Sequence, residues 1–386
     1  MADIAPSAVP FDDLDVEGPG IEVEIEPINI DGAISEEAED GSVVVDLRPE
    51  EGDEEDKGEA THESNLAEFM DEGELTTLGT DLVDAYDNDK KSREEWEKSY
   101  RKGLTLLGLK IEERTTPWQG ASGVFHPLLT EANIRFQADM MMETFPADGP
   151  CLTKIIGKET EEKVLQAKRI KHDMNYLAVD VFEEIRDEHE QALFHVGLAG
   201  SAFKKVFFDR TLNRPSDVFV SADDFVVAFG TTNLATCPRA THVMKEWPND
   251  LVRAQYNGEY RDVDIPEVTA KYTDVERKEQ KVSGETPSIE YDDRHTTLEM
   301  HVDLDLPGFE DEDEGEEGEE GEFTGIALPY IVKIEKDSRI VLSVYRNWKE
   351  DDPDKKKGAF FEHYKYLPGL GFYGIGLIHL LGGLTK

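Results

Sequence analysis

Residues 360–386 read FFEHYKYLPGLGFYGIGLIHLLGGLTK, an apolar, aromatic strip broken by six glycines. The glycines argue against a regular amphipathic helix, because each weakens a helix by about 1 kcal/mol relative to alanine. A strip of this composition has to be buried against something. It stands out in a chain of 386 residues with a formal net charge of -45. The expectation is that its cover comes from outside, from missing sequence or from neighbouring copies. Gly369, Gly371 and Gly374 match the spacing of a dinucleotide loop, but Pro368 precedes them where a strand is required. Tyr366–Leu384 contains Pro368 and His379 and lacks the run of about 20 apolar residues that a membrane span needs, so no stable membrane insertion is expected.

The acidity is uneven. The first eighty residues hold 26 acids against 2 bases, and Glu310–Glu322 holds 10 acids and no base. Residues 1–75 therefore read as an acidic disordered arm, too poor in apolar groups to offset chain entropy. Residues 310–322 read as a surface loop inserted between strands. The two cysteines, Cys151 and Cys237, suggest no disulfide framework and fit a reducing place of synthesis. The N-terminal MADIAPSAVPFDDLD has neither a basic nor an apolar signal region.

Between these segments the pattern is first helical, then strand-like. Leu82, Val83, Tyr86, Trp96, Tyr100, Leu104 and Leu107 predict one helix over 80–107. A glycine loop, Thr115–Gly123, follows, with Trp118 as its apolar anchor and Gly120 at its bend. His126-Pro127 opens a second helix that runs to Phe145-Pro146. Val164, Ala167, Ile170, Met174, Leu177, Val181, Ile185, Ala192 and Val196 predict a single long helix over about 159–198. Strands are expected at 202–208, 218–229, 240–244, 296–304, 326–334 and 340–345, and a short helix after Pro248. Residues 265–290 read as a helix plus linker.

No catalytic constellation is present: no Walker-type loop, no nucleophile elbow and no HExxH. His189 and His195 are six apart and do not share a helix face as ligands would. Asp223-Asp224 reads as a turn former, and the 310–322 run does not fit a calcium loop. No catalytic, cofactor-binding or metal residue is assigned, and no cofactor is expected. The basic groups at Lys163–Lys171, Lys204-Lys205 and Lys355–Lys357 read as solvated surface.

Four stretches carry a resemblance. They are Pro117-Trp118-Gln119-Gly120-Ala121-Ser122 with His126-Pro127-Leu128-Leu129; Arg135-Phe136-Gln137 leading into Glu143-Thr144-Phe145-Pro146; Pro238–Val243; and Leu328-Pro329-Tyr330 with Tyr345–Trp348, then His363–Gly374. In this order they resemble the portal (head-to-tail connector) proteins of short-tailed double-stranded DNA phages. The resemblance implies an α+β fold, a portal-type wing with long helices and a mixed β region. It implies a non-enzymatic ring of twelve subunits at one capsid vertex of the virion, assembled in the host cytoplasm. The ring would be the channel for double-stranded DNA in packaging and ejection. Its partners would be the terminase large subunit, the major capsid protein and a tail or head-completion adaptor. Family members are longer, so the chain is expected to lack most of the stem, clip and crown.

The expected organisation is an arm (1–75), a helical and α/β wing region (76–260), a β-rich region (261–359) and a segment leading toward the missing stem (360–386). Trp118, Gly120, Phe145, Trp348, Tyr366, Pro368, Phe372 and Tyr373 are the candidate structural or subunit-contact residues. Two other readings fit the composition: an acidic soluble metal-dependent enzyme, and a membrane-active virion protein inserting Tyr366–Leu384.

Overall fold

A computed structural model of the chain describes residues 34–37, 43–46, 60–107, 118, 127–209, 212–267, 272–284, 293–311, 323–369 and 371–382. Most of the expected arm, most of the Thr115–Gly123 loop including Gly120, and most of the 310–322 loop lie outside the described residues. Two units are present. In the first, residues 1–58, strands β1 (Ile34–Glu37) and β2 (Val43–Asp46) pair antiparallel, with Ile34 opposite Asp46.

The second unit runs from Glu59 to Lys386 and is α+β. It begins earlier than the expected boundary at 75. Leu66, Ala67 and Met70 are buried in its core, held by a side chain that mimics a strand. Asn65 Oδ1 accepts from the backbone N–H of Val344 (2.9 Å) and Asn65 Nδ2 donates to the Leu342 carbonyl (3.3 Å). The same Oδ1 accepts from Ala67 N–H and caps the 3₁₀ turn Leu66–Glu68.

Helix α1 (Glu72–Ser92) starts on Asp71, whose carboxylate accepts from Gly73 N–H at 2.7 Å. Helix α2 (Glu94–Leu106) follows. The single helix expected over 80–107 is thus two, broken at Arg93, whose backbone leaves the helical region (φ -104°, ψ 11°). The physical reason is the Arg93 side chain, which is 6% exposed. Its guanidinium donates to the carbonyls of Ala222 (2.7 Å), Phe225 (2.9 Å) and Asp223, and to the Tyr373 hydroxyl (2.9 Å).

Helices α3 (Leu128–Thr144), α4 (Glu161–Tyr176) and α5 (Glu184–Ala199) come next. The long helix expected over 159–198 is divided by a π turn, Leu177–Val181, and by Phe182 (φ -95°, ψ 75°). Arg214 fixes the restart, because its guanidinium donates to Glu184 at 2.5 and 2.7 Å and sits over the Phe182 ring. Strands β3 (Ser201–Asp209), β4 (Arg214–Ser221), β5 (Phe225–Val227) and β6 (Arg239–Glu246) follow. The strand expected over 218–229 is therefore interrupted at residues 222–224, where Asp223-Asp224 form the turn. Next are α6 (Pro248–Tyr256), with Pro248 in its first turn, and α7 (Asp274–Ser283), closed by a Thr273–Glu276 capping box. The chain then runs through β7 (His295–Leu304), β8 (Leu328–Glu335), β9 (Ile340–Arg346), β10 (Phe361–Lys365) and α8 (Leu377–Leu381).

All pairings are antiparallel. One sheet has the order β5-β6-β7-β8-β9 and the other β10-β3-β4. The first sheet joins strands on both sides of residue 260, so the regions expected as 76–260 and 261–359 form one unit. Its apolar face, with Leu298, Met300, Val302, Val332 and Ile334, packs under Leu75, Leu82, Val83 and Tyr86 of α1. A second cluster joins Tyr100 and Leu104 of α2 to Leu129, Leu198, Leu377 and Ile378. A third contains Phe203, Phe225 and Phe372.

The 360–386 strip does not wait for cover from outside. Its β10 pairs with β3, Glu362 opposite Lys204, and Leu367 bridges Ile375. Phe372, Leu377 and Ile378 are buried, and Tyr366 N–H donates to the Gly200 carbonyl at 3.0 Å. The glycines make this possible. Gly200 ends α5 at φ +92°, and a Cβ there would overlap the backbone of Gly374 and Gly376. A Cβ at 374 would overlap the Gly200 carbonyl in turn, whereas Gly371 has open space.

Two predictions follow from these contacts. Gly374→Ala should lower stability by about 2–3 kcal/mol through overpacking, and Gly371→Ala by under about 0.5, in urea unfolding. Equal effects would refute the close approach. Arg93→Met should cost about 3–5 kcal/mol, because the Ala222 and Asp223 carbonyls lose this donor and the Phe225 carbonyl is left with the Tyr373 hydroxyl alone. A loss below about 1 kcal/mol would show that the junction does not rest on the guanidinium.

Candidate functional site

The second face of the five-stranded sheet is polar, yet it is buried. On β7 the alternate residues His295, Thr297, Glu299 and His301 are all under 5% exposed. Glu299 lies at the centre, opposite His242 on β6 and Lys333 on β8. Lys205 reaches it from β3 of the other sheet, with Nζ 2.6 and 2.7 Å from its two oxygens. Lys333 Nζ is 3.8 Å away and His301 Nε2 is 3.2 Å away. Burial would push the Glu299 carboxyl up, but the His301 hydrogen bond and the charges of Lys205 and Lys333 hold it well below the usual carboxylate range. Burial lowers the His301 imidazole, and burial lowers His242 to about 3. Neutral His301 thus donates from Nε2 to Glu299 and accepts at Nδ1 from Asn347, 3.5 Å away.

This network joins the two sheets. Both Glu299 oxygens and both His301 nitrogens are engaged within it. Beside it is a cavity of about 370 Å³, lined by Phe225, Ala240, His301, Lys357, Phe360 and Phe361 among others. Lys357 on its wall donates to the Cys237 carbonyl at 3.1 Å.

Lys204 and Lys205 are therefore not solvated surface. Lys204 is 5% exposed and paired with Asp217. Lys355 pairs with Asp311, and Lys356 with Asp354 at 2.6 Å. The sequence carried little signal for Glu299 or Lys205. A polar residue at every second strand position ordinarily marks a face turned to water, and here that face meets another sheet.

A second titratable cluster surrounds Arg93. Burial raises Asp223 to about 6, with Arg93 opposing and Asp224 adding to the shift. Burial and repulsion from Asp223 raise Glu279 to about 7, although the Tyr100 hydroxyl donates to it at 3.1 Å.

The candidate contact residues divide in two. Tyr373 stacks on Trp96 (4.8 Å between ring centroids), accepts from Arg93 and donates to the Phe225 carbonyl at 2.8 Å. Phe372 lies 4.6 Å from the His363 ring and 5.9 Å from Phe203. Tyr366 is edge-on to Phe136 at 4.9 Å, and Trp348 is edge-on to Tyr330 at 5.4 Å. All four hold the chain to itself. Phe145 is half-buried beside His189, at 6.5 Å, and Pro368 is exposed. Trp118 is 67% exposed, so it anchors nothing among the described residues.

The uncovered surface lies elsewhere. Helix α4 has no buried residue: of the stripe read as core, Ile170, Met174 and Leu177 are open to solvent and Val164 and Ala167 are half-buried, whereas Ala192 and Val196 on α5 are buried. Leu165, Ile170, Met174, Tyr176, Leu177 and Val179 are each more than a third exposed, and Leu152 and Ile156 in the preceding segment are 82% and 88% exposed. Asn175 holds that segment, its side chain donating to the Cys151 carbonyl (3.1 Å) and accepting from Cys151 N–H (2.8 Å).

No cluster of three or more His, Cys, Asp or Glu among the described residues is placed to hold a metal ion. No helix among the described residues is long and apolar enough to cross a membrane. No family model matches the sequence, and no curated protein matches it.

The raised Glu279 gives a pH prediction. Between about pH 4.5 and 7 the folded state keeps a proton that the unfolded chain has released, so stability falls as pH rises through this window. Glu279→Gln should flatten that decline and stabilise the protein at pH 8 by about 1–3 kcal/mol. Parallel stability–pH curves for the two proteins in urea unfolding would refute the shift.

Proposed function

We propose that the chain is a structural subunit of a phage portal, a ring at one capsid vertex through which double-stranded DNA enters and leaves. The supporting geometric observation is the uncovered apolar surface of α4 and residues 152–156. Half-exposed Leu, Ile and Met side chains gain about 1 kcal/mol each on full burial, at about 25 cal/mol per Å². A ring of copies would collect that gain at every interface, whereas a lone subunit leaves it unmet. The order of the four resembling stretches supports the same reading. All four fall within the span of the second unit, Glu59–Lys386.

The reading assigns the chain no chemistry of its own. Packaging energy would come from the terminase large subunit docked on the ring, with the major capsid protein and a tail or head-completion adaptor as further partners. An acidic surface suits a DNA channel, because it repels the phosphate backbone and lets the duplex slide, and outside the acidic runs at 1–80 and 310–322 the chain holds 50 acids against 39 bases.

Negative-stain microscopy with native mass spectrometry of the purified chain tests this. Rings with a central hole are expected, twelve subunits in number. A monomer that hydrolyses nucleotides or nucleic acid, or a chain that floats with liposomes, would overturn the proposal.

A further inference from the structure

The distribution of apolar residues around α4 says how the contact is made. At about 100° per residue, the half-buried Val164, Ala167, Lys171 and Asn175 fall on one side of the helix, the side turned to its own chain. The exposed apolar residues form two separate strips, one on each flank, roughly 150° apart around the axis. Ile170 and Met174 make one strip, and Leu165 and Tyr176 the other. A surface helix of a lone protein has one apolar stripe, facing inward. A helix with two uncovered strips has two further neighbours to meet.

The strips differ in chemistry. The Leu165–Tyr176 flank also carries Lys168, Arg169 and His172, with Glu161 as the acid among them at the helix start. The stretch 154–171 as a whole holds six bases, Lys154, Lys158, Lys163, Lys168, Arg169 and Lys171, against three acids, Glu159, Glu161 and Glu162. None of the six bases forms an ion pair among the described residues. Outside this segment and outside the acidic runs at 1–80 and 310–322, the chain holds 47 acids against 33 bases, so the folded unit still offers acidic surface to complement the segment.

We infer that α4 is wedged between two further copies of this chain, and that its basic flank seats on an acidic surface of one of them. Because the two flanks are unlike, the contact is heterologous: each copy offers different surfaces to the copy before and the copy after. Such contacts generate rings when the rotation closes, and filaments when it does not. The inference rests on the ring reading and adds to it which helix makes the contact, and that both of its sides are used.

The experiment uses the full chain and four variants. Flank one is Ile170→Glu with Met174→Glu, flank two is Leu165→Glu with Tyr176→Glu, and a charge variant is Lys168→Glu with Arg169→Glu. A control, Val252→Glu with Tyr256→Glu, alters exposed apolar residues of α6. Light scattering and native mass spectrometry read the assembly, and thermal melting in the monomeric fraction reads the fold. Each flank pair should abolish the assembly with melting unchanged, because the side chains are exposed. The charge variant should weaken assembly at 150 mM salt, and the control should leave it intact. If the parent chain assembles and either flank pair is neutral, the two-sided contact is wrong while the ring reading stands. If the parent chain is monomeric, both fail. If the charge variant assembles normally but loses co-purifying nucleic acid, the basic flank meets nucleic acid and the inference is overturned.

Discussion

The Arg93 guanidinium is the point on which the rest of the structure turns. It sits at the break between α1 and α2, takes the carbonyls of the 222–225 turn, and meets the Tyr373 hydroxyl. Three parts of the chain far apart in sequence thus share one buried cation. Taking a guanidinium out of water costs several kcal/mol, and only a full set of acceptors offsets it. Here the acceptors are backbone carbonyls that a tight turn would otherwise leave buried and unpaired. The same group settles two local features: the helix must stop at 93 to aim the side chain, and the Asp223-Asp224 turn must face it. Of the acids in this part of the unit, Asp223 is raised by its own burial against the pull of Arg93, and Glu279 by burial and repulsion from Asp223.

A second buried network repeats this logic between the sheets. Glu299 on β7 is ionised because Lys205, Lys333 and His301 converge on it. Breaking one partner of such a pair is costlier than the pair is stabilising, so the network serves relative position more than stability. It fixes β3, and through it β10, against the larger sheet. The strip that closes the chain is then laid over α5, where Gly200, Gly374 and Gly376 let two backbones touch.

α4 falls outside this economy of cover. Its neighbours in the chain are the 149–153 segment and the adjoining π turn, and neither buries its apolar side chains. Single exposed apolar side chains occur elsewhere too, as at Phe229, Trp247 and Tyr256, but α4 carries several together and buries none of its residues. The aromatic strip at 360–382, which by composition looked unfinished, buries Phe372, Leu377 and Ile378 within the unit, while Tyr364, Leu367 and Leu380 stay exposed.

Much of the element order was legible in the amino-acid sequence by itself. The α+β class, the strand runs around 202–208, 240–244, 296–304 and 340–345, the Pro248 helix and the Asp223-Asp224 turn all follow from local periodicity and turn chemistry. These are short-range properties, written in neighbouring residues. Only the tertiary structure decided which faces are covered. It broke two predicted helices, at Arg93 and at Phe182, because distant partners there outweigh local helical preference. It turned an alternating polar strand into a buried ionic seam and left a helical stripe exposed, since burial depends on what arrives from elsewhere in the chain. It also gave Gly374 and Gly376 their reason, because the backbone they must approach belongs to Gly200 and Leu198, some 170 residues away in sequence.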